Sequence, residues 1–181
     1  MVNKIIILDD VYNDIRLIRA EISRNFNDLG GDYGLDFYPK DESEFDDSIC
    51  YLEMAFGNDA EKIGLAFEYF NTQFKGDSLI FIIDYHFKNK RDFDGIRIFD
   101  TIVSKLNYQI AIFFTGKSAN ERDKIRKRIN QLNLDKLYLV RKPYFKNSLG
   151  ELTINDKILT EENFIGLIGK YIGKTNIHKR L

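Results

Sequence analysis

The chain is poor in the residues that build disulfides and zinc sites. Its 181 residues include one cysteine, Cys50, and two histidines. A single cysteine excludes an internal disulfide, and one cysteine with two histidines cannot supply the four ligands of an ordinary structural zinc site. Nothing near Cys50 in the sequence suggests an activated thiolate, so we expect it to be a small buried residue.

Long apolar runs and glycine-rich phosphate loops are also missing. No stretch approaches the roughly 20 apolar residues of a membrane helix, and the opening MVNKIIILDD becomes acidic too early for a signal peptide. The lack of a P-loop or dinucleotide-type glycine motif argues against NTP and NAD binding. We therefore expect a soluble, cytoplasmic protein with no membrane partner.

Charge shows no excess of one sign, since 27 basic and 28 acidic side chains give a net of −1. Such a chain exerts little overall attraction on nucleic acid, and we expect no nucleic-acid partner. The charge is unevenly placed, with ten acids and two bases in residues 41–77 but fifteen bases and seven acids in residues 117–181. This pattern favours solvated faces, with a partner surface on one flank as the alternative.

The composition that remains is that of a folded domain. Hydrophobic residues make up 44% and charged residues 30%, and fifteen Phe and ten Tyr need a core to bury them. The length suits one domain better than two, so we expect residues 1–181 to form a single domain.

Short continuous apolar runs alternate with helical patterns along the chain. These runs, typical of strands buried on both faces, are residues 4–8, 79–83, 109–114 and 137–140, with a weaker strand at 35–38. Apolar residues at three- and four-residue spacing predict helices between them, including one over 95–106. Strands alternating with helices predict a parallel sheet with helices on both faces.

Two segments enlarge this pattern. The segment of about 40–77, between the second and third strands, is acidic. Its pattern predicts one or two helices with a break near residues 57–58. Residues of about 144–160 separate the last parallel strand from a closing helix, and 152–159 suggest a small hairpin or a loop.

Chemically useful side chains stand where four predicted strands end. They are Asp9-Asp10, Asp84, Thr115 and Lys142-Pro143. Parallel strands present their carboxyl ends at one edge of the sheet, where ligands bind. Three carboxylates gathered there repel one another, and Mg²⁺, which prefers oxygen ligands, resolves that repulsion.

The same set suits phosphoryl transfer to a carboxylate. A carboxylate that attacks phosphorus forms an acyl phosphate, and catalysis then depends on positioning and on neutralising charge. Mg²⁺ can neutralise charge on one side of the transferred phosphoryl group. A lysine ammonium and a threonine hydroxyl can bind its other oxygens.

With these motifs the chain resembles the response-regulator receiver family of two-component signalling, over roughly 1–30 and 78–145. The resemblance implies a flavodoxin-like, doubly wound, five-stranded parallel sheet of order 2-1-3-4-5, here with an enlarged acidic helical segment and a C-terminal extension. It also implies that Asp84 is the phosphoacceptor and Asp10 the main Mg²⁺ carboxylate, with Asp9 assisting and His86 supplying a backbone carbonyl to the metal.

The remaining roles also follow from the resemblance. Thr115 is implied to bind the phosphoryl group and act as the switch, and Lys142 to pair with it. Pro143 is implied to follow a cis peptide bond, which costs little before proline. The expected function is a stand-alone phosphoacceptor with at most slow self-dephosphorylation, rather than an enzyme. Its expected partners are a sensor histidine kinase or phosphotransfer protein and an unknown downstream protein; the sequence leaves the oligomeric state open.

Three features depart from the family pattern. Asp84 follows Asp9 by 75 residues, and Gly95 comes eleven residues after Asp84 with no proline between them. The aromatic switch residue that the family carries three positions before its lysine is replaced by Leu139. Tyr138 is adjacent, so either the aromatic switch is absent or the strand register differs by one.

Two other functions remain open. A receiver fold that no longer switches would be an interaction module that binds partners through the acidic segment or the C-terminal arm. A metal-dependent phosphatase of the haloacid-dehalogenase type also uses an aspartate nucleophile, but its signature has one residue between two acids, whereas Asp9 and Asp10 are adjacent.

Overall fold

A mixed sheet forms the centre of the protein. The computed structural model describes residues 3–27, 35–87, 94–116, 119–132, 136–141, 152–154, 157–159 and 161–172. Its strands are β1 (Asn3–Leu8), β2 (Asp36–Tyr38), β3 (Ser78–Asp84), β4 (Tyr108–Thr115), β5 (Leu137–Arg141), β6 (Leu152–Ile154) and β7 (Lys157–Leu159). The first five are parallel in the order β2-β1-β3-β4-β5, as the flavodoxin-like expectation required.

Six helices accompany the described strands. They are α1 (Tyr12–Asn27), α2 (Glu42–Phe56), α3 (Ala60–Gln73), α4 (Gly95–Thr101), α5 (Ala119–Gln131) and α6 (Glu161–Tyr171). The helix predicted over 95–106 is shorter, because a 3-10 helix at Val103–Lys105 follows α4. In the described part of the chain, no helix combines the length and the apolar character needed to span a membrane.

The sheet is buried on both faces, which explains its continuous apolar strands. Ile5 and Ile7 of β1 pack with α1 and α6, whereas Ile6 and Leu8 pack in the cluster that contains α2 to α5. All four are at most 1% exposed. Successive side chains of a strand point to opposite faces of the sheet, so one continuous apolar run contributes to the apolar layers on both faces.

The acidic segment folds as two helices, α2 and α3, interrupted where the sequence predicts a break. The carboxylate of Asp41 caps α2 by accepting from the Glu44 amide at 2.9 Å. That of Asp59 caps α3 by accepting from the Glu61 amide at 3.0 Å. Aspartate at the N-cap satisfies amides that have no partner within the helix, so each cap fixes where its helix begins.

Helix α2 lies at the carboxyl-end edge of the sheet. Near its start, the hydroxyl of Tyr38, at the end of β2, donates to the carbonyl of Glu44 at 3.3 Å. At its end, the ring of Phe56 packs edge-on against Phe87, beyond the end of β3, with centroids 5.3 Å apart. Arg97 of α4 donates to the carbonyl of Gly57 at 2.6 Å. The inserted helix is thus held beside the strand ends where the acids lie.

A hairpin extends the sheet past β5. Strand β6 pairs antiparallel with β5, and β7 pairs antiparallel with β6. The hairpin therefore occupies the edge of β5 that would otherwise end the parallel sheet.

The expectation that Cys50 is buried is wrong. Cys50 is exposed rather than buried, because α2 turns Ser48, Leu52, Ala55 and Phe56 inward and places Cys50 on another face. A cis peptide bond is found at Tyr38–Pro39. The cis bond expected before Pro143 falls outside the described residues.

Gly95 offers a test of how tightly α4 is held against β3. A Cβ at this position would lie 2.5 Å from the carbonyl oxygen of Asp84, too close for any side chain. We expect Gly95→Ala to lower the free energy of unfolding by about 1–3 kcal/mol, measured by urea denaturation. In Gly64→Ala the added methyl meets nothing within 4 Å, so this helical control should gain about 0.5–1 kcal/mol. A neutral Gly95→Ala would contradict the close approach.

Candidate metal centre

The strand register brings the acidic residues together. Leu8 of β1 pairs with Ile83 of β3, so Asp9 and Asp84 follow at the same level of the sheet. Asp9 is 2% exposed and Asp84 is 6% exposed. Each of Asp9, Asp10 and Asp84 offers a carboxylate oxygen, and these three oxygens all lie within 4.8 Å of one another.

The turn after β1 orients the acidic pair. The amide of Val11 donates to Oδ1 of Asp9 at 3.0 Å, while the Val11 carbonyl accepts from Asp14 at 2.9 Å in the first turn of α1. Asp9 therefore shapes the entry into the helix as well as joining the carboxylate group. Asp10 is half-buried, and its Oδ1 atom is shielded from solvent.

This geometry suits a small divalent cation. Ligands of octahedral Mg²⁺ lie about 2.1 Å from the ion, so its neighbouring oxygens are about 3 Å apart and opposite ones about 4 Å apart. Carboxylate oxygens within 4.8 Å need only small adjustments to reach those separations. A cation would also remove the repulsion among carboxylates that are largely withdrawn from water.

Of the two other residues expected to bind the phosphoryl group, Thr115 lies within the described chain and Lys142 does not. Phe114 pairs with Asp84, so Thr115 is one residue beyond the level of the acid, at the end of β4. Its side chain is fully buried. Lys142 and Pro143 lie outside the described residues.

The long loop after Asp84 is closed at its base. The amide of Tyr85 donates to the carbonyl of Phe114 at 2.7 Å, and the amide of Gly95 donates to the carbonyl of Tyr85 at 3.0 Å. His86 and Asp94 form an isolated antiparallel bridge. The eleven-residue spacing therefore leaves Gly95 next to the site.

A polar cluster that sequence reasoning missed joins this loop to α5. Arg128 of α5 donates to the hydroxyl of Tyr85 at 2.5 Å and forms an ion pair with Asp94. Tyr85 is 4% exposed. Burial raises the pKa of its hydroxyl to about 12, and the negative charge of Asp94 acts in the same direction. No spacing rule connects positions 85, 94 and 128, and Arg128 looked like part of a solvated basic face.

Tyr138 and Leu139 lie on opposite faces of the sheet. Its ring belongs to the cluster on the α1 and α6 face, and its hydroxyl lies 3.4 Å from that of Tyr171. Leu139 belongs to the opposite face, packed with α2 to α5. The ring of Tyr138 therefore does not lie on the face that Leu139 occupies.

Comparisons with known proteins add no identification, since no family model, curated protein or solved structure matches the chain.

Tyr85→Phe tests the cluster through pH. At neutral pH we expect the variant to lose about 1–2 kcal/mol of stability, because the hydroxyl no longer bonds to Arg128. The raised pKa of Tyr85 stabilises the fold below pH 10, and this contribution is lost as the pH rises towards 12, because the unfolded chain ionises first. The deficit of Tyr85→Phe should therefore narrow between pH 10 and 12 in denaturation series.

The matched control is Tyr108→Phe. Burial raises the pKa of Tyr108 as well, but neither Arg128 nor Asp94 contributes to that shift. A Tyr85→Phe deficit that stays constant up to pH 12 would contradict this account of the cluster.

Proposed function

We propose that the protein is a stand-alone response-regulator receiver that accepts a phosphoryl group on Asp84 from a phosphohistidine protein, with Mg²⁺. The observation that carries this proposal is the meeting of Asp84 with Asp9 and Asp10 at the carboxyl ends of neighbouring parallel strands. The arrangement supplies a nucleophile and a cation site in one place. An exchange of this kind would take place in the cytoplasm.

The chemistry assigns each described residue a role. A carboxylate oxygen of Asp84 attacks phosphorus, the bond from phosphorus to the donor histidine nitrogen breaks, and the bonding electrons remain on that nitrogen. Mg²⁺ bound by Asp9, Asp10, Asp84 and the carbonyl of His86 would neutralise negative charge on the phosphoryl oxygens. The buried hydroxyl of Thr115 can donate to one of those oxygens.

Output is proposed to be protein contact that depends on phosphorylation. Tyr138 packs on the α6 face, so nothing supports an aromatic switch at that residue. Tyr85, in contrast, directly follows Asp84 and is hydrogen-bonded to Arg128. A shift of the phosphorylated loop can therefore change the position of α5 through this contact.

An interaction module that is never phosphorylated is the second candidate. The observation that favours it is Leu139, a buried aliphatic residue at the sequence position where the family carries its aromatic switch. Such a module would keep the fold and bind partners without a phosphorylation-dependent change.

Incubation with acetyl phosphate and Mg²⁺, followed by intact mass spectrometry, tests the proposal. We expect a mass gain of one phosphoryl group in the natural chain and none in Asp84→Asn, because the amide is a poor nucleophile. Asp47→Asn is the matched control, since Asp47 is exposed on α2 and should leave the gain unchanged.

The other outcomes separate the alternatives. No mass gain from acetyl phosphate or from a phosphorylated histidine kinase would contradict the receiver and favour the interaction module. Rapid hydrolysis of a generic phosphate ester would instead indicate a phosphatase.

A further inference from the structure

A small cavity lies between α2 and the acidic site. Its volume is about 150 Å³. The rings of Phe45, Phe56 and Phe87 form much of its wall, and Asp10 and Glu53 contribute carboxylates. The cavity therefore combines an aromatic lining with negative charge.

The aromatic wall is fixed by contacts within the protein. Phe56 packs against Phe87 with ring centroids 5.3 Å apart, and Phe45 packs against Tyr12 of α1 at the same separation. Leu52, which also lines the cavity, is 1% exposed. Because these contacts hold the aromatic side chains in place, the space is formed in advance of binding.

Charge favours a cationic occupant. Residues 41–61, which include all of α2, carry eight acids and no base. A surface of one sign raises the local concentration of ligands of the opposite sign. Aromatic rings also attract an ammonium group placed over their faces. A hydrated divalent ion gains nothing from the three phenylalanine rings, so the lining points to an organic cation.

The volume limits the size of that cation. A cavity of about 150 Å³ accepts a molecule of about the size of benzene, and this one is partly open to solvent. We propose that this cavity binds a small primary ammonium compound, with an apolar body of about one ring among the phenylalanines and its charge at Asp10 and Glu53. This binding does not depend on phosphorylation of Asp84.

Benzylammonium is the probe, and benzyl alcohol is its uncharged counterpart of the same shape. In ¹H–¹⁵N NMR titrations we expect benzylammonium to bind with a Kd on the order of 1 mM or below, and at least tenfold more tightly than benzyl alcohol. Shifts should concentrate in α2 and around Asp10 and Phe87. Equal affinity for both probes, or shifts confined to other parts of the protein, would overturn the proposal.

Two pairs of variants separate the cavity from the general surface. Ile49→Phe adds volume to the lining and should abolish binding, whereas Leu65→Phe makes the same kind of change at an exposed position on α3. Glu53→Gln should weaken benzylammonium binding about three- to tenfold, and Glu68→Gln, on α3, less than twofold. Loss of binding in either control, or retention in Ile49→Phe, would contradict the placement.

Competition with Mg²⁺ tests the position of the ammonium at Asp10. This step rests on the proposed metal site. Two cations near one carboxylate repel each other, so saturating Mg²⁺ should weaken benzylammonium binding about tenfold, and benzylammonium should weaken Mg²⁺ binding by the same factor. If Mg²⁺ binds and the ammonium affinity is unchanged, the ammonium position is wrong. If benzylammonium binds with the expected selectivity and Mg²⁺ does not bind, the proposed receiver function fails and the ammonium site stands.

Discussion

Repulsion among three carboxylates is the physical constraint on which the site depends. Asp9 and Asp84 are almost fully buried, and both lie within 4.8 Å of a carboxylate oxygen of Asp10. Such a group is costly in a protein interior unless a cation or strong donors neutralise it. The group lies at the ends of β1 and β3, where parallel strands direct ligands, and this position is the basis of the metal site that we propose.

The loop after Asp84 and helix α2 lie around this group. The loop after Asp84 is long, yet the bonds between Tyr85 and Gly95 bring its two ends together beside β3. Helix α2 is held at its far end by the hydrogen bond from Arg97 to Gly57, and its residues line a cavity together with Asp10. The loop and the helix therefore enclose the acids at the carboxyl ends of the strands.

The sequence was informative where one pattern had one physical cause. Continuous apolar runs predicted the buried parallel strands. Because Asp9, Asp10 and Asp84 follow or end two of those strands, the sequence also predicted that these acids lie together at one edge of the sheet. Contacts between distant segments were not predictable in this way. The cluster of Tyr85, Asp94 and Arg128 joins three elements with no common spacing, and the exposure of Cys50 depends on which face of α2 turns inward. Such features follow from tertiary packing, which local patterns do not encode.

The most direct test of the proposed cation site among Asp9, Asp10 and Asp84 is a crystal structure of the protein grown with Mn²⁺. This ion prefers oxygen ligands, can substitute for Mg²⁺ and is located by its anomalous scattering. The account predicts one anomalous peak within about 2.3 Å of carboxylate oxygens from both Asp10 and Asp84. An anomalous map without a peak between these two residues, at Mn²⁺ concentrations that fill other sites, would contradict it.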